Sequence, residues 1–365
     1  MELTKCKLGE LITQRREKND GSDLPICGVS KDGLIPPKQK DADTSIYNVF
    51  YRDDFIFNPA RMELNSIAIN DMYDRAICSS LYEVFYVHRT DLLLPHYLEL
   101  IIRQKWFTRY CEFLGQGSAR EYCRFGNISE IEIEFPPIEE QQKIVEYNTA
   151  IENRIALKQK INDNLLATTQ AIYKSWFVDF EPFDNVCPSD WGNGCVDDIA
   201  EFYDSMRKPL SSLERADMER IYPYYGAVSI VDYVDDFIFD GEYLLLSEDG
   251  IYVVDENGHP LLQHITGKFW ANNHAHILKG KSGFNEDSLY LFLANTNMAP
   301  IVTGAAQPKI NQANLKSFPI TIPTSEVIEN FNALIQPFFD QRLSNEAEVK
   351  KLESLKDLLL SRLVN

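Results

Sequence analysis

Two stretches of this chain carry apolar residues on a seven-residue step. Ile144, Ile151, Lys158, Leu165 and Ile172 form the first row, and Phe331, Phe338, Asn345, Leu352 and Leu359 form the second. Each row is apolar except for one polar residue at its middle step. A sustained seven-residue seam predicts a helix that packs on another helix, and a polar seam residue commonly fixes register. An amphipathic helix lying along its own domain is the alternative. Against it, forty helical residues reach about 60 Å at 1.5 Å per residue, longer than one domain face. Two helices with matching seams are therefore expected to pair. Pro337 is expected to kink the second or to mark a break near its first turns.

Just before each helix the apolar period drops to two. Ile131, Ile133 and Phe135 alternate with Glu132 and Glu134, and Phe318, Ile320 and Ile322 alternate with Pro319 and Thr321, so each stretch predicts a strand. A proline follows each, Pro136 and Pro323, stopping the strand and opening the helix. The two segments align without a gap at an offset of 187 residues. Gly117 matches Gly304, Asn127 matches Asn314, and the apolar positions match throughout. The pentapeptide Asp53-Asp-Phe-Ile-Phe57 recurs as Asp235-Asp-Phe-Ile-Phe239, and Leu8–Ile12 has a counterpart in Val196–Ala200. The chain thus reads as a tandem duplication. Its expected order is a strand-rich globule (1–135), a long helix (136–180), a second globule (181–322) and a second long helix (323–365).

Composition adds limits. The 365 residues are 44% hydrophobic and 25% charged, which suits two folded domains and excludes a disordered chain. The segment Met1–Cys6 has no apolar core of a secretory signal, and no apolar run is long enough to span a bilayer. Seven scattered cysteines, never in a Cys-x-x-Cys pair, predict neither a disulfide framework nor a structural zinc site. A cytoplasmic protein without a membrane partner is expected. The formal net charge of −19 argues against a nonspecific nucleic-acid binder, which needs a cationic surface. That charge is uneven: −4 over 1–135, −1 over 136–180, −12 over 181–322 and −2 over 323–365.

Catalytic signatures are missing. Gly280-Lys-Ser282 ends like a Walker A loop, but the required upstream glycine position is Ala275. Gly115-Gln-Gly117 opens no dinucleotide loop, and Asn58-Pro-Ala-Arg61 lacks the second proline and aromatic of an amino-methyltransferase motif. A nuclease built on Asp240, Glu242, Glu248 and Asp249 has no lysine at the spacing of a usual triad. His274-Ala-His276 has no third metal ligand in sequence, and polar contacts are the expectation there.

What remains is recognition. A reader of DNA needs phosphate anchors and base-edge readers. The loop Gly304–Asn311 carries Gln307, Lys309 and Asn311, and its counterpart Gly115–Arg124 carries Gln116, Ser118, Arg120 and Arg124. Gln and Asn suit adenine, and Lys suits phosphate or guanine. Further candidates are Arg15, Arg16, Lys18, Lys31, Lys38, Lys40 and Arg61 in the first globule. The second offers Arg207, Lys208, Tyr224, Tyr225, Lys268, Asn272, Asn273 and His274.

Pro136-Pro-Ile-Glu-Glu-Gln-Gln-Lys-Ile-Val145, with the helix end Ala171-Ile-Tyr-Lys-Ser-Trp-Phe-Val-Asp-Phe180, resembles the central conserved region of the specificity subunit of type I restriction-modification enzymes. So do Phe269-Trp-Ala-Asn-Asn-His-Ala-His276, Thr303-Gly-Ala-Ala-Gln-Pro-Lys309 and the distal helix Leu352–Leu360. The resemblance covers essentially the whole chain. It implies an α+β fold of two tandem mixed α/β target-recognition domains, each followed by a long helix, the two helices packed as an antiparallel coiled coil. It further implies a non-catalytic subunit that reads a bipartite, asymmetric target in double-stranded DNA. Its partners would be two copies of a DNA-adenine methyltransferase subunit and a restriction/translocase subunit. No cofactor is expected on this chain, since S-adenosylmethionine, ATP and Mg2+ would belong to those partners. An acidic DNA mimic or adaptor that binds the methyltransferase without DNA is the competing expectation.

Overall fold

The computed structural model describes residues 3–31, 33–37, 43–115, 122–304 and 306–361. They form two compact units, residues 1–157 with 348–365 and residues 158–347. Each unit contains one globule and a stretch of both long helices.

In the first unit, strand Thr4–Lys7 runs antiparallel to Glu132–Phe135, pairing the start of the globule with its end. Between them lie two four-stranded sheets. One has the order Ile12–Arg15, Glu83–Val87, Phe55–Phe57, Ile67–Ile69 and is antiparallel throughout. The other has the order Gly33–Ile35, Ile26–Ser30, Arg75–Cys78, Asn48–Tyr51, with one parallel pair at its centre. Phe55, Phe57 and Phe85 are fully buried on the first sheet beneath helix Pro95–Ile102, with Phe55 and Phe85 stacked at 4.9 Å. Burying aromatic faces this large is the main source of stability in such a core.

The second unit repeats the closing pair, with Gly192–Cys195 against Pro319–Ile322. Its main sheet has six strands in the order Ala200–Phe202, Ala275–Gly280, Phe239–Ser247, Leu262–Ala271, Tyr222–Tyr225, Ile230–Val234. Helix Glu286–Ala294 covers one face over Leu244, Leu246 and Leu278. The duplication also holds locally: helix Phe125–Ser129 precedes the closing strand of the first globule, and Gln312–Lys316 precedes that of the second.

The first long helix spans Ile138–Phe177 and the second Ser325–Ser361. The first ends where Phe180 enters the left-handed region at φ +55°. Cross-helix bonds run antiparallel. In the first unit Arg154 meets Glu348 at 2.5 Å and Lys356 meets Glu152 at 2.9 Å. In the second unit Lys158 Nζ donates to Asn345 Oδ1 at 2.9 Å, and Asn345 Nδ2 donates to Asn162 Oδ1 at 2.7 Å.

Of the two expectations at Pro337, a kink or a break, the break does not occur: the helix runs through the proline. Proline costs one backbone bond here, and the burial of Phe331, Ile335 and Phe339 around it offsets that loss. Among the described residues no helix is long and apolar enough to cross a membrane.

Candidate nucleic-acid interface

In the first unit a groove of about 1250 Å³ opens between strand Ile26–Ser30, the turn Asn58–Asn65 and the segment Ser79–Glu83. Lys31, Arg61, Arg103 and Arg124 line it, together with Tyr82, Tyr122, Asn58 and Asn65. Arg124 lies 3.2 Å from Glu83 and over the Tyr122 ring at 5.4 Å. Arg103 donates to the Lys31 carbonyl at 2.6 Å and sits 3.4 Å from Glu99. Lys31 and Arg61 are exposed, and among the described residues neither ammonium nor guanidinium has an ion-pair partner. Asn58 Oδ1 accepts from the Ala60 amide and starts the turn, while Asn65 ends it at φ +51°. Asn65 Oδ1 is buried without a hydrogen-bond partner. The wall thus combines cations, amides and aromatic rings, chemistry that could meet phosphates and base edges.

In the second unit the separate sequence motifs converge on one polar network. Arg207 donates to Glu248 and to the Ala275 carbonyl, each at 2.6 Å, and lies 3.4 Å from Asp204. Lys309 Nζ reaches Glu248 at 2.9 Å. His276, almost fully buried, places Nδ1 2.6 Å from Asp204 and Nε2 2.9 Å from the Ile310 carbonyl. Burial alone would raise the carboxyl of Glu248. Hydrogen bonds from Arg207 and Lys309 outweigh it and hold Glu248 below its ordinary value. Burial likewise opposes ionisation of Asp204, and the His276 bond overcomes it. Asp204, Glu248 and His276 stand close enough to hold a cation. Arg207, Lys309 and Gln312 already satisfy those carboxylates, so the cluster is a charge-balanced scaffold.

The rim of this network is open. His274 is half exposed and bonds Asp249 at 2.6 Å, and Asp249 is bridged to Lys309 by backbone pairing. Gln307 and Asn273 are exposed beside them, as are Ile251 and Tyr252 in the adjoining loop. Gly304 makes the Gln307 turn possible: its φ is +85°, and a Cβ there would lie 2.3 Å from the Gln307 carbonyl oxygen.

Several residues expected at the surface are internal. Arg15 is clamped between the Tyr51 and Tyr86 rings at 4.7 and 4.6 Å and paired with buried Asp54. Tyr224 is 2% exposed and its hydroxyl accepts from the Leu210 amide. Asn272 is buried, accepting from the His274 amide. Arg207 is committed to the network above, and Asn311 caps helix Gln312–Lys316. Tyr224 and Asn272 are thus buried scaffold, while Arg15, Arg207 and Asn311 hold partners within their own globules.

Lys18 donates to Asn48 and to the Ile46 carbonyl, and Arg16 donates to Gln14. Tyr225 packs edge-on against Phe269, and Lys268 lies over Phe237. Lys208 is exposed, and its carbonyl accepts from Trp270. Gln116, Ser118, Arg120, Lys38 and Lys40 lie outside the described residues. The supposed nuclease acids form two groups. Asp240 and Glu242 sit near one end of strand Phe239–Ser247, and Glu248 and Asp249 follow its other end, about 20 Å away at 3.3 Å per residue.

Among the helix-pairing residues, Phe331 is fully buried. Ile144, Ile151, Leu165, Ile172, Phe338, Leu352 and Leu359 are half-buried. Arg103, Tyr82 and Asn65 line the groove although the sequence reading missed them. Arg103 follows the apolar helix Pro95–Ile102 and carries no motif, so the only available signal was its charge.

The model of the type I restriction modification DNA specificity domain matches this chain twice, over residues 6–167 and 188–356. A putative type I restriction enzyme specificity subunit of Haemophilus influenzae is 36% identical over 143 residues, covering 38% of this chain and 36% of that protein. The chain therefore spans about a third of that relative's length. The MjaIX specificity subunit of Methanocaldococcus jannaschii is 24% identical over 299 residues, covering 75% of this chain and 69% of that one. The fold is similar to the crystal structure of a type I restriction-modification S subunit from M. genitalium. The TM-score is 0.60 at 14% identity, covering 100% of this chain and 96% of the other.

Proposed function

This chain belongs to the type I restriction-modification DNA specificity family, whose members recognise DNA and are non-catalytic, and on that premise we propose that it reads a bipartite, asymmetric target in double-stranded DNA. The groove bearing Lys31, Arg61 and Arg124 takes one half-site. The rim bearing Asn273, His274, Gln307 and Lys309 takes the other. The observation that supports this reading is the repetition itself: one family domain occurs twice, and the two copies carry polar surfaces built of different residues. Different residues on a repeated frame favour two unlike half-sites joined by an unread spacer, as linked readers do elsewhere.

The paired helices would set that spacer and dock two methyltransferase subunits, with a restriction/translocase subunit joining for cleavage. S-adenosylmethionine, ATP and Mg2+ would be held by those partners. The cytoplasm is the compartment this role requires. The mimic reading is less favoured, because Asp204, Glu248 and Asp232 are engaged by cations of the same unit rather than arrayed on an open face.

Adenine-methylation mapping in cells with and without this gene tests the proposal. Loss of methylation at one split, asymmetric motif is the expected result. An unchanged methylation pattern would overturn it.

A further inference from the structure

Within the second unit a polar cluster lies apart from the proposed DNA rim. Glu242 comes from strand Phe239–Ser247, His264 from its neighbour Leu262–Ala271, and Asp287 from the first turn of helix Glu286–Ala294. His264 is cross-strand to Leu244, so Glu242 falls diagonally beside it on the same sheet face. Glu242 Oε1 lies 2.6 Å from His264 Nε2, and Asp287 Oδ1 lies 3.6 Å from His264 Nδ1. One ligand atom from each residue can be chosen so that all three lie within 4.8 Å of one another.

The Asp287 side chain is 3% exposed, and its Oδ1 faces this cluster with no hydrogen-bond partner. Its other oxygen accepts from Gln336 of the second long helix at 3.2 Å. The surrounding charge makes the orphaned oxygen worse placed. Burial pushes the Asp287 carboxyl up to about 7, and Glu242, Asp340 and Glu286 add like charge against the single histidine. Lys279 acts on Glu242 but stands over the Tyr243 ring. A buried carboxylate in such surroundings needs a proton or a cation. Glu242 and Asp287 flank different ring nitrogens of His264, so with the Asp287 carboxylate turned toward Nε2 one imidazole nitrogen and two carboxylate oxygens form a donor set that suits a small divalent transition metal. A cavity of about 140 Å³ beside His264, bordered by Tyr290, Phe339 and Glu346 and by Arg342, which lies over the Phe339 ring and 3.9 Å from Glu346, leaves room for water ligands.

We propose that Glu242, His264 and Asp287 form a binding site for a divalent transition-metal ion of the zinc class. Such an ion would replace the Glu242–His264 hydrogen bond and bring ligand distances toward about 2.0–2.2 Å. It would tie the sheet, the covering helix and, through Gln336, the second long helix into one rigid body. The proposal does not depend on the DNA reading.

The test uses the full-length chain stripped with a chelator and dialysed. Zinc chloride is titrated calorimetrically, and thermal unfolding is followed with and without the ion. One equivalent should bind and raise Tm. E242Q, at a half-exposed position that tolerates change, and H264Q should each weaken zinc binding at least tenfold. H276Q, in the charge-balanced network, should leave it unaltered. Three results would overturn the site: no stoichiometric binding, binding that survives both E242Q and H264Q, or binding lost only in H276Q. A D287N chain that gains Tm while the wild-type chain ignores zinc would mean that a proton, not a metal, neutralises Asp287.

Discussion

Arg15 has the charge and reach of a phosphate contact, yet its bidentate bond to Asp54 and its two tyrosine neighbours hold it inside the first globule. Arg61, with the same side chain, stands exposed on the groove wall. The two make opposite predictions. R61A should weaken DNA binding by the assembled complex about equally across sequences, and reduce the salt slope by about one phosphate's worth. R15A should leave the salt slope unchanged but strand the Asp54 carboxylate, which is 2% exposed, at a cost of about 3 kcal/mol in urea unfolding.

The Asp204–Glu248 network adds a pH prediction. Both carboxyls are held below their ordinary values of 3.8 and 4.5, so the folded state binds fewer protons there than the unfolded chain. Their stabilisation is present above those values and is lost as pH falls through the folded ones. Tm should therefore drop as pH is lowered from 5 to 3. R207M, which removes one of the cations, should make that drop shallower, and an equal slope in both chains would refute the assignment.

At the level of elements, the sequence reading succeeded where one period governed a long run, and failed where polar residues did apolar work. The seven-residue rows and the strands before them were legible because burial repeats at 3.5 and 2 residues. A second row of the first helix was not: Gln141, Asn148 and Thr169 are buried despite being polar. Gln141 explains why. Its amide accepts from the Leu94 N–H and donates to the carbonyls of Leu92 and Pro136, pinning the helix to the first globule. No hydrophobic periodicity can reveal a contact of that kind. The same blindness made the buried Asn272 a contact candidate and left Arg103 out of the groove.

The polar layer at Lys158 and Asn345 was legible, because the interruption falls at the same step of both rows. Equivalent positions of two antiparallel helices meet only where a local two-fold axis crosses the pair, and these two residues, 187 apart, hydrogen-bond each other. Asn345 also receives Gln341 Nε2 at 2.9 Å. N345A should cost about 1–3 kcal/mol, since Lys158, Asn162 and Gln341 each lose a partner. The double change K158M/N345L should recover part of that loss, because it removes the orphaned ammonium while Asn162 and Gln341 still lack their bond to residue 345. Denaturant unfolding of the two chains decides it.

For the whole molecule, the charge of −19 first weighed against nucleic acid. Its burden falls on residues 181–322, where several carboxylates are consumed by Arg207, Lys309 and Arg220. The first globule gathers four cations around one groove that also holds Glu63 and Glu83; Arg103 and Arg124 are paired, and Lys31 and Arg61 have no ion-pair partner among the described residues. On the proposed reading, recognition by a local basic wall on an acidic chain implies few phosphate contacts per half-site. The isolated chain should thus bind DNA weakly and lose that binding steeply with added salt, with partners supplying the remaining contacts. The helices carry the corresponding geometric prediction. Seven residues preserve the helical face and add about 10.5 Å at 1.5 Å per residue. Insertion of one such heptad after Leu157 and another after Ala347, where the two units divide, should lengthen the unread spacer by about three base pairs at 3.4 Å each. The side chains proposed to read the half-sites lie outside the inserted turns, so the half-site sequences should persist. Methylome mapping of cells carrying the lengthened chain measures both quantities at once, and altered half-sites with an unaltered spacer would show that the helices do not measure distance.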